Sequence, residues 1–301
     1  MKTLNIIGCG RVGRTLGRLW QEHSVFRISD VFNRSIQSAE DAVTFMGAGR
    51  AIPGIGRMAR ADVYLIGTPD DRLGTACGDL VDTGPLSKGS IVFHLSGATR
   101  SAVLHRVREC GALAASVHPV KSFADPEVSC RTFEGTHCGA EGDPDAVKFL
   151  TSAFEAIGAR MFRINPEHKE IYHAASVFSC NYLTALLEVG ILAYEKAGIP
   201  RDTAFEIVEP IVRETIDNLM ELDTAKALTG PIARGDHGTV SRQIAALEAW
   251  DPEICALYKR LGAVALTLSR LQGSASPESI DTLSELLEVN RLLEATDGPR
   301  S

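Results

Sequence analysis

The sequence predicts an α/β protein, with a doubly wound parallel sheet over residues 1–165 and an all-helical domain over residues 166–301. Three observations predict this fold class. Short strand-like runs alternate with amphipathic helical stretches up to about residue 164, a glycine-rich turn follows the first run, and the pattern is helical alone after residue 165. Strands that are separated by helices are typical of parallel pairing in one sheet.

Seven short runs rich in β-branched and apolar residues are the strand candidates. They are TLNIIG, FRISDVF, DVYLIG, SIVFHLS, ALAASVHP, THCGAEG and ARMFRI. The helical part begins at Asn165 and Pro166, because asparagine caps helix N-termini and proline suits the first helical position. Helices are expected over about 166–197 and 201–221, followed by an irregular segment, LTGPIARGDHG, and three further helical segments.

Composition and charge argue against nucleic acid and membrane partners. The 301 residues carry a net charge of −7 without a long run of Lys or Arg, which disfavours nucleic acid. The N-terminal apolar run is too short for a signal peptide, and no apolar stretch of about 18 residues is expected to span a membrane. We therefore expect a cytoplasmic protein. No cysteine or histidine spacing predicts a metal site.

A glycine motif follows the first predicted strand. In IIGCGRVGRTLG, Gly8 permits a tight turn, Gly10 lets the backbone approach a pyrophosphate, and Gly13 lets the helix pack closely on the strand. The amides of Arg11 and Val12 begin the helix, whose positive end attracts phosphate. The motif predicts dinucleotide binding, and the alternative is a glycine-rich turn without a ligand.

The end of the second strand indicates which dinucleotide is bound. An enzyme that uses NAD usually places Asp or Glu there to hold the ribose 2′-hydroxyl, whereas this chain has Asn33, Arg34 and Ser35. Asp30 lies earlier, still within the strand. An arginine and a hydroxyl favour a 2′-phosphate, so NADP is the predicted cofactor, unless Arg34 is merely a solvated loop residue.

The motifs together resemble a known family. GCGRVG, NRS, GTPDD, HLSGA, VHPVKSF, YHAASVFSCNYL and LTGPIARGD occur in the order found in an uncharacterised bacterial group of Rossmann-like NADP oxidoreductases with a C-terminal domain of unknown function. That group is similar to pyrroline-5-carboxylate reductase, ketopantoate reductase, prephenate dehydrogenase and 6-phosphogluconate dehydrogenase. The resemblance implies a Rossmann-type sheet and an all-α C-terminal domain of the 6-phosphogluconate dehydrogenase-like kind. It supplies no substrate.

The predicted strand ends supply candidate binding residues, because ligands of doubly wound sheets bind at the carboxyl ends of strands. Thr68 and Pro69 are expected at the cofactor, or alternatively form an ordinary turn with a capping hydroxyl. Ser96 and His118 are expected to contact substrate. His118 precedes a proline, which resembles a turn of prephenate dehydrogenase-like chains, and the alternative is a hydrogen-bonded structural histidine.

The first helix of the second half carries the catalytic candidates. Resemblance to ketopantoate reductase and its relatives implies that Lys169 donates a proton and that His173, one turn later, orients the substrate, with Asn181 as a further contact. Lys169 lies in the first turn and is expected to be exposed, so His173 is the preferred candidate. The apolar side of this helix is expected to pack inwards; it comprises Ile171, Ala175, Phe178 and Tyr182. The alternative is a surface lysine beside a structural histidine.

The irregular segment LTGPIARGDHG is the third candidate wall of the site. It resembles a Pro-Gly-Gly-Thr break that enters the active site of pyrroline-5-carboxylate reductase. Arg234 is expected to bind a substrate carboxylate bidentately, and Asp236 to line the same site. The alternative is a helix-capping loop with an Arg–Asp pair.

These features favour an NADP-dependent oxidoreductase that transfers a hydride between NADP(H) and a small carboxylate-bearing ketone, alcohol or imine. This substrate class is the one implied by the resemblance to ketopantoate reductase or pyrroline-5-carboxylate reductase. The alternative function is a sensor or scaffold that binds NADP(H) without catalysis. The apolar C-terminal helices predict a homodimer.

Overall fold

The computed structural model describes residues 1–289, which form two compact units. The first consists of Met1–Leu183 and the second begins at Thr184. The secondary structure changes from alternating strands and helices to helices alone at residue 165. By their contacts, however, residues 166–183 belong to the first unit, with the sheet. The first unit therefore contains both the glycine motif and the start of the first long helix.

The first unit is built on an eight-stranded sheet with the order β3-β2-β1-β4-β5-β6-β7-β8. Its strands are β1 Lys2–Ile7, β2 Phe26–Phe32, β3 Arg50–Ala51, β4 Val63–Ile66, β5 Ile91–His94, β6 Leu113–Pro119, β7 His137–Gly142 and β8 Arg160–Arg163. All seven predicted strands are present, and the two-residue β3 is additional. This arrangement confirms the doubly wound sheet predicted from the alternating pattern.

The expectation of parallel pairing throughout is wrong between β6 and β7, which are antiparallel. Their close pairing depends on Gly142, whose φ is +131°. A Cβ there would lie 2.5 Å from the carbonyl oxygen of Ala114. The difference arises because a short buried strand has the same sequence pattern in either direction.

Helices cover both faces of the sheet. They are α1 Arg11–Glu22, α2 Ile36–Met46, α3 Leu73–Thr83, α4 His105–Glu109, α5 Pro126–Arg131 and α6 Pro144–Glu155. On one face, Trp20 of α1 packs edge-on against Phe26, Phe93 and Phe154, with ring centroids 5.2–6.2 Å apart. This aromatic cluster holds α1, and therefore the glycine motif, against the sheet.

A continuous helical segment runs over Pro166–Lys196. It consists of a 3₁₀ turn Pro166–His168, α7 Lys169–Ser176, a π-helical turn Val177–Tyr182 and α8 Leu183–Lys196. The expectation that its apolar side packs inwards is wrong for the single chain, because Ile171, Phe178 and Tyr182 are 75%, 67% and 57% exposed. A π-helical turn also changes the phase of the side chains that follow it.

The expectation that no segment is apolar enough to span a membrane is also wrong by composition, since Pro166–Lys196 is long and apolar enough. Length and composition alone are weak evidence of a membrane span. The helix begins with Lys169, which is ion-paired to Glu141, and a buried charge of this kind is costly in lipid.

The second unit is helical, as predicted. It contains α9 Arg201–Leu222, α10 Thr224–Ala227, α11 Pro231–Arg234, α12 His237–Trp250, α13 Pro252–Gln272 and α14 Pro277–Leu286. Its core is a cluster of Val240, Leu266, Ile280, Leu283 and Leu287. The predicted irregular segment, residues 228–238, follows α10; it contains the single-turn helix α11 and ends in the first turn of α12.

Candidate active site

The glycine turn joins β1 to α1. Gly8 has a φ of +85°, and a Cβ there would lie 2.7 Å from the amide nitrogen of Thr68, so this position requires glycine. No atom lies within 4 Å of the position that a Cβ would take at Gly10. The amides of residues 11–13 precede the first hydrogen bond of the helix, which Arg14 donates to the Gly10 carbonyl at 2.9 Å. The turn therefore has open space and free amides where a pyrophosphate would bind.

Asn33, Arg34 and Ser35 have different environments. Asn33 is buried, accepts a 2.5 Å hydrogen bond from the amide of Cys9 and donates one of 2.9 Å to the carbonyl of Ser38. It ties the glycine turn to the end of β2. Ser35 caps α2 by accepting from the amide of Ser38 at 3.3 Å. Arg34 is exposed at the same strand end, so its guanidinium is accessible to a ligand.

Asp30 is occupied by its own fold contacts, as expected from its place within β2. Its carboxylate accepts hydrogen bonds from Arg50 at 2.9 Å and from the amide of Ala59 at 2.5 Å. A buried carboxylate that is paired in this way is not available to a ribose hydroxyl.

Two buried polar atoms beside the glycine turn lack a hydrogen-bond partner within residues 1–289: Thr68 Oγ1 and Arg14 Nε. Buried polar groups are normally paired, so these atoms fit a site whose partner is a polar ligand. The alternative of a capping role for the Thr68 hydroxyl is wrong, since it caps nothing. Pro69 follows as an exposed residue before the 3₁₀ turn Asp70–Arg72.

A cavity of about 250 Å³ opens next to this turn, within the first unit. Its apolar lining comes from Val12, Leu95, Pro119 and Phe123, and its other lining residues are Asp70, Ser96, Gly97, His118, Lys121 and His173. Val12 belongs to the glycine motif, so a cofactor bound there would border the cavity. The predicted residues His118, His173 and Ser96 thus share one site.

Two histidine rings meet at Gly97. The His118 and His173 ring centroids are 5.5 Å apart, and a Cβ on Gly97 would lie 2.8 Å from His118 Nε2 and would collide with His173 Nδ1. His173 Nδ1 is buried and has no partner among the described residues. His118 Nδ1 lies 2.9 Å from the hydroxyl of Tyr172. One nitrogen of each ring is therefore directed at the same space.

The charge state of His118 is set by its surroundings. Burial lowers the pKa of His118 to about 4, assisted by His173 and by the positive charge of Lys169, while the Asp70 carboxylate acts in the opposite direction. His94, at the end of β5, also has its pKa lowered to about 4, by burial and by Lys169. Both imidazoles are neutral at pH 7.

Lys169 does not line the cavity, and the expectation that it is exposed is wrong. Its side chain is fully buried and donates hydrogen bonds to Ser116 Oγ at 2.5 Å and to Glu141 Oε1 at 3.0 Å. Ser101 donates to both oxygens of Glu141, from its amide at 2.7 Å and its hydroxyl at 2.8 Å. Burial lowers the pKa of Lys169, and Glu141 opposes that shift.

Ser96 shapes the turn that carries Gly97. Its hydroxyl donates to Asp70 Oδ2 at 2.6 Å and accepts from the amides of Ala98 and Thr99 at 3.2 and 2.8 Å. Ser96 therefore holds the Asp70 carboxylate at the cavity. Lys121 also lines the cavity and donates to the Thr132 carbonyl at 2.9 Å.

The remaining predicted residues are not in this cavity. Asn181 is exposed within the π-helical turn. Arg234 and Asp236 belong to the second unit, where Arg234 is exposed at the end of α11 and Asp236 caps α12 by accepting from the amide of Thr239 at 3.0 Å. The capping alternative for the irregular segment is thus confirmed for Asp236.

Two family descriptions match this chain. Residues 2–119 match the Rossmann-like domain, and residues 136–265 match DUF2520, a domain of unknown function. This is a Rossmann-like protein with a DUF2520 domain. The match confirms the resemblance that the motifs predicted, including the uncharacterised C-terminal half. No curated protein sequence matches the chain.

Solved structures share the fold of this Rossmann-like/DUF2520 chain. Protein TM1727 from Thermotoga maritima has a TM-score of 0.71 and 23% identity over 90% of this chain and 100% of its own. BF3122 from Bacteroides fragilis, provisionally described as an NADP oxidoreductase, has a TM-score of 0.70 and 20% identity over 87% of this chain and 96% of its own. A pyrroline-5-carboxylate reductase from Coxiella burnetii has a TM-score of 0.57 and 19% identity over 95% of this chain and 98% of its own. At these identities the similarity shows the fold alone.

Sequence reasoning about the Rossmann-like/DUF2520 chain missed four residues around the cavity: Asp70, Lys121, Glu141 and Tyr172. One of them had a detectable signal. Glu141 stands inside a predicted strand, and a carboxylate in a buried strand requires a cationic or hydrogen-bonding partner. Tyr172 directly precedes His173, but nothing in the sequence indicates its contact with His118.

Proposed function

We propose that this chain is a cytoplasmic, NADP(H)-dependent oxidoreductase that transfers a hydride between the cofactor and a small carboxylate-bearing ketone, alcohol or imine. The observation that carries the proposal is the convergence of His118 Nε2 and His173 Nδ1 beside Gly97, in a cavity that Val12 of the glycine turn also lines. A cofactor held by the turn would thus border two groups able to bind or exchange protons.

The chemistry divides between the cofactor and these side chains. Reduced nicotinamide supplies a hydride to the electrophilic carbon of a substrate when it is bound. The heteroatom of that carbonyl or imine must then gain a proton. His173 transfers this proton in our proposal, and His118 donates a hydrogen bond to the same heteroatom. Lys169 is too deeply engaged with Glu141 and Ser116 to reach it.

NADP is the proposed cofactor because Arg34 is accessible at the end of β2 while Asp30 is engaged with Arg50. The description of BF3122 as an NADP oxidoreductase agrees with this proposal. Titration with NADPH and NADH tests it, with Arg34→Ala as the variant and Arg27→Ala, an exposed arginine at the start of the same strand, as the control. We expect only Arg34→Ala to weaken NADPH binding; tighter binding of NADH than of NADPH by the unmodified protein would contradict the assignment.

A carboxylate on the substrate is proposed to bind a cationic side chain. Lys121 lines the cavity and uses one of its three donors on the Thr132 carbonyl, which leaves two for a carboxylate. Arg234, in the second unit, remains the sequence-based candidate. The two are distinguished by Lys121→Met and Arg234→Met, with exposed Lys148→Met as control, by measuring KM for substrates with and without a carboxylate.

The decisive assay follows NADPH absorbance with a panel of 2-oxo acids and cyclic imines. Turnover that is lost in His173→Ala and kept in an exposed-residue control supports the proposal. Tight NADPH binding without turnover of any panel compound would contradict catalysis and favour the sensor or scaffold.

We also propose a homodimer formed through the C-terminal helices. Only Ala204 is buried among the 22 residues of α9, and Phe205, Ile211 and Met220 are exposed by 50%, 52% and 75%. Apolar exposure of this extent is typical of an interface. Sedimentation equilibrium of the full chain measures the assembly.

A further inference from the structure

One histidine of the cavity, His118, contacts a tyrosine that the proposed chemistry does not use. The hydroxyl of Tyr172 lies 2.9 Å from His118 Nδ1, and the two rings meet edge to face with centroids 5.6 Å apart. On its other side the Tyr172 ring packs against Phe162, at 6.0 Å between centroids. The phenol is therefore held in place between an aromatic ring and the imidazole.

The direction of this hydrogen bond follows from counting donors and acceptors. Burial raises the pKa of Tyr172 to about 12, so its oxygen carries a hydrogen at neutral pH. Within residues 1–289, His118 Nδ1 is the one acceptor recorded for that hydrogen. If Nδ1 donated instead, the phenol hydrogen would lack a protein partner in a half-buried site, which is unfavourable. Donation from Tyr172 to Nδ1 satisfies both groups.

The second ring nitrogen of His118, Nε2, then carries the single N–H hydrogen of the neutral imidazole. Nε2, together with its ring neighbour Cε1, approaches Gly97, and both residues line the cavity. The ionisable groups around the ring are His173 and Lys169 of α7, whose charges disfavour an imidazolium, and Asp70, which favours it. Burial and the first two prevail, so the ring stays neutral.

We infer that Tyr172 is a positioning residue that holds His118 in the Nε2–H tautomer, so that a neutral imidazole donates a hydrogen bond to the substrate heteroatom. The inference rests on the proposed function only for the hydrogen bond to the substrate; the tautomer of His118 does not depend on it. His118 keeps its proton throughout, whereas His173 gives one up, so the two histidines have different tasks. Negative charge that develops on the heteroatom during hydride transfer is stabilised by the fixed donor.

The tautomer is tested without any substrate, by ¹⁵N NMR of histidine-labelled full-length protein, with the His118 signals assigned from their loss in His118→Asn. We expect a protonated Nε2 and an unprotonated Nδ1 at pH 7 in the unmodified protein. Tyr172→Phe keeps the ring and removes the hydroxyl, so the His118 signals should move towards a mixture of tautomers. Tyr182→Phe, which removes an exposed hydroxyl from the same helical segment, should leave them unchanged. A protonated Nδ1, or His118 signals that are the same in Tyr172→Phe, would overturn the inference.

The kinetic test separates the inference from the proposed function. With a substrate from the panel, Tyr172→Phe should lower kcat up to about tenfold, the equivalent of one net hydrogen bond, with unchanged NADPH affinity. An unchanged kcat would overturn the role in catalysis. If no panel compound is turned over, the proposed function fails while the NMR result still decides the tautomer.

Discussion

Replacing Lys169 by Met should destabilise the protein severely, because Lys169 and Glu141 form a buried ion pair. Their side chains are 0% and 3% exposed, and Met has nearly the length of lysine but no charge. Within residues 1–289, the substitution leaves the Glu141 carboxylate buried with Ser101 as its remaining partner. Removing one member of a buried pair costs about 3–5 kcal/mol, and the lost hydrogen bond of Ser116 adds about 1 kcal/mol.

A double-mutant cycle measures this coupling. The variants are Lys169→Met, Glu141→Gln and the combination, assayed by urea unfolding of the full chain followed by circular dichroism. Glutamine can still accept from the Ser101 amide and carries no charge, so the combination should cost at least 2 kcal/mol less than the sum of the single changes, within the range of about 0.5–3 kcal/mol for contacting residues.

The matched control is Lys148→Met, an exposed lysine on α6, which should change the free energy of unfolding by less than about 0.5 kcal/mol. A cost below about 1 kcal/mol for Lys169→Met, or strictly additive effects in the cycle, would refute the buried pair. Lys169 would then behave as a surface residue, as its position in the first helical turn suggested.

Three further predictions concern pH, the cavity and assembly. The pKa of His118 is lowered to about 4 in the folded chain, so the stabilisation from its neutral ring is present above pH 6.5 and is lost as the pH falls towards 4. Between pH 7.5 and 5 this loss should amount to about 2 kcal/mol of the free energy of unfolding. Urea unfolding of His118→Asn should not show this loss. Gly97→Ala should displace both histidine rings and lower turnover at least about 100-fold with NADPH affinity retained in a fluorescence titration, whereas Gly54→Ala, where a Cβ meets nothing within 4 Å, should not. Met220→Asp should shift sedimentation towards the monomer if α9 lies in the dimer interface. The control Val128→Asp changes an exposed residue of the first unit and should leave sedimentation unchanged. An unchanged assembly in Met220→Asp would contradict that interface.

Features that depend on neighbouring residues in the chain were predictable. The glycine turn is one, because the backbone requirement at Gly8 and the open space at Gly10 belong to a single strand–turn–helix unit. Strand positions are another, since a buried strand needs only a short apolar run. The bounds of β2 agree with the predicted run residue for residue.

Features that depend on distant partners were not predictable. The burial of Lys169 depends on Glu141, 28 residues earlier on β7, and the direction of β7 is itself not encoded in its pattern. The exposed apolar side of the Pro166–Lys196 segment shows the same limit. An apolar stripe predicts that Ile171 and Phe178 prefer to be covered, but not which surface covers them.

Lys169 and His173 lie one helical turn apart, and their side chains serve different parts of the fold. The longer side chain of Lys169 ends at Glu141 and Ser116 on the sheet, whereas His173 lines the cavity. The resemblance to lysine-led reductases implied a proton donor; in this structure the lysine is paired with Glu141, and its charge adds to burial and His173 in lowering the pKa of His118.

That electrostatic role leads to a last prediction. In the combination of Lys169→Met with Glu141→Gln, where the fold should be largely retained, the pKa of His118 measured by NMR titration should rise from about 4. It should stay below 6.5, because burial is the larger cause of the shift. Lys148→Met, which removes an exposed charge from α6, should leave it unchanged. An unchanged His118 in the combination would mean that Lys169 stabilises the sheet alone and does not tune the cavity.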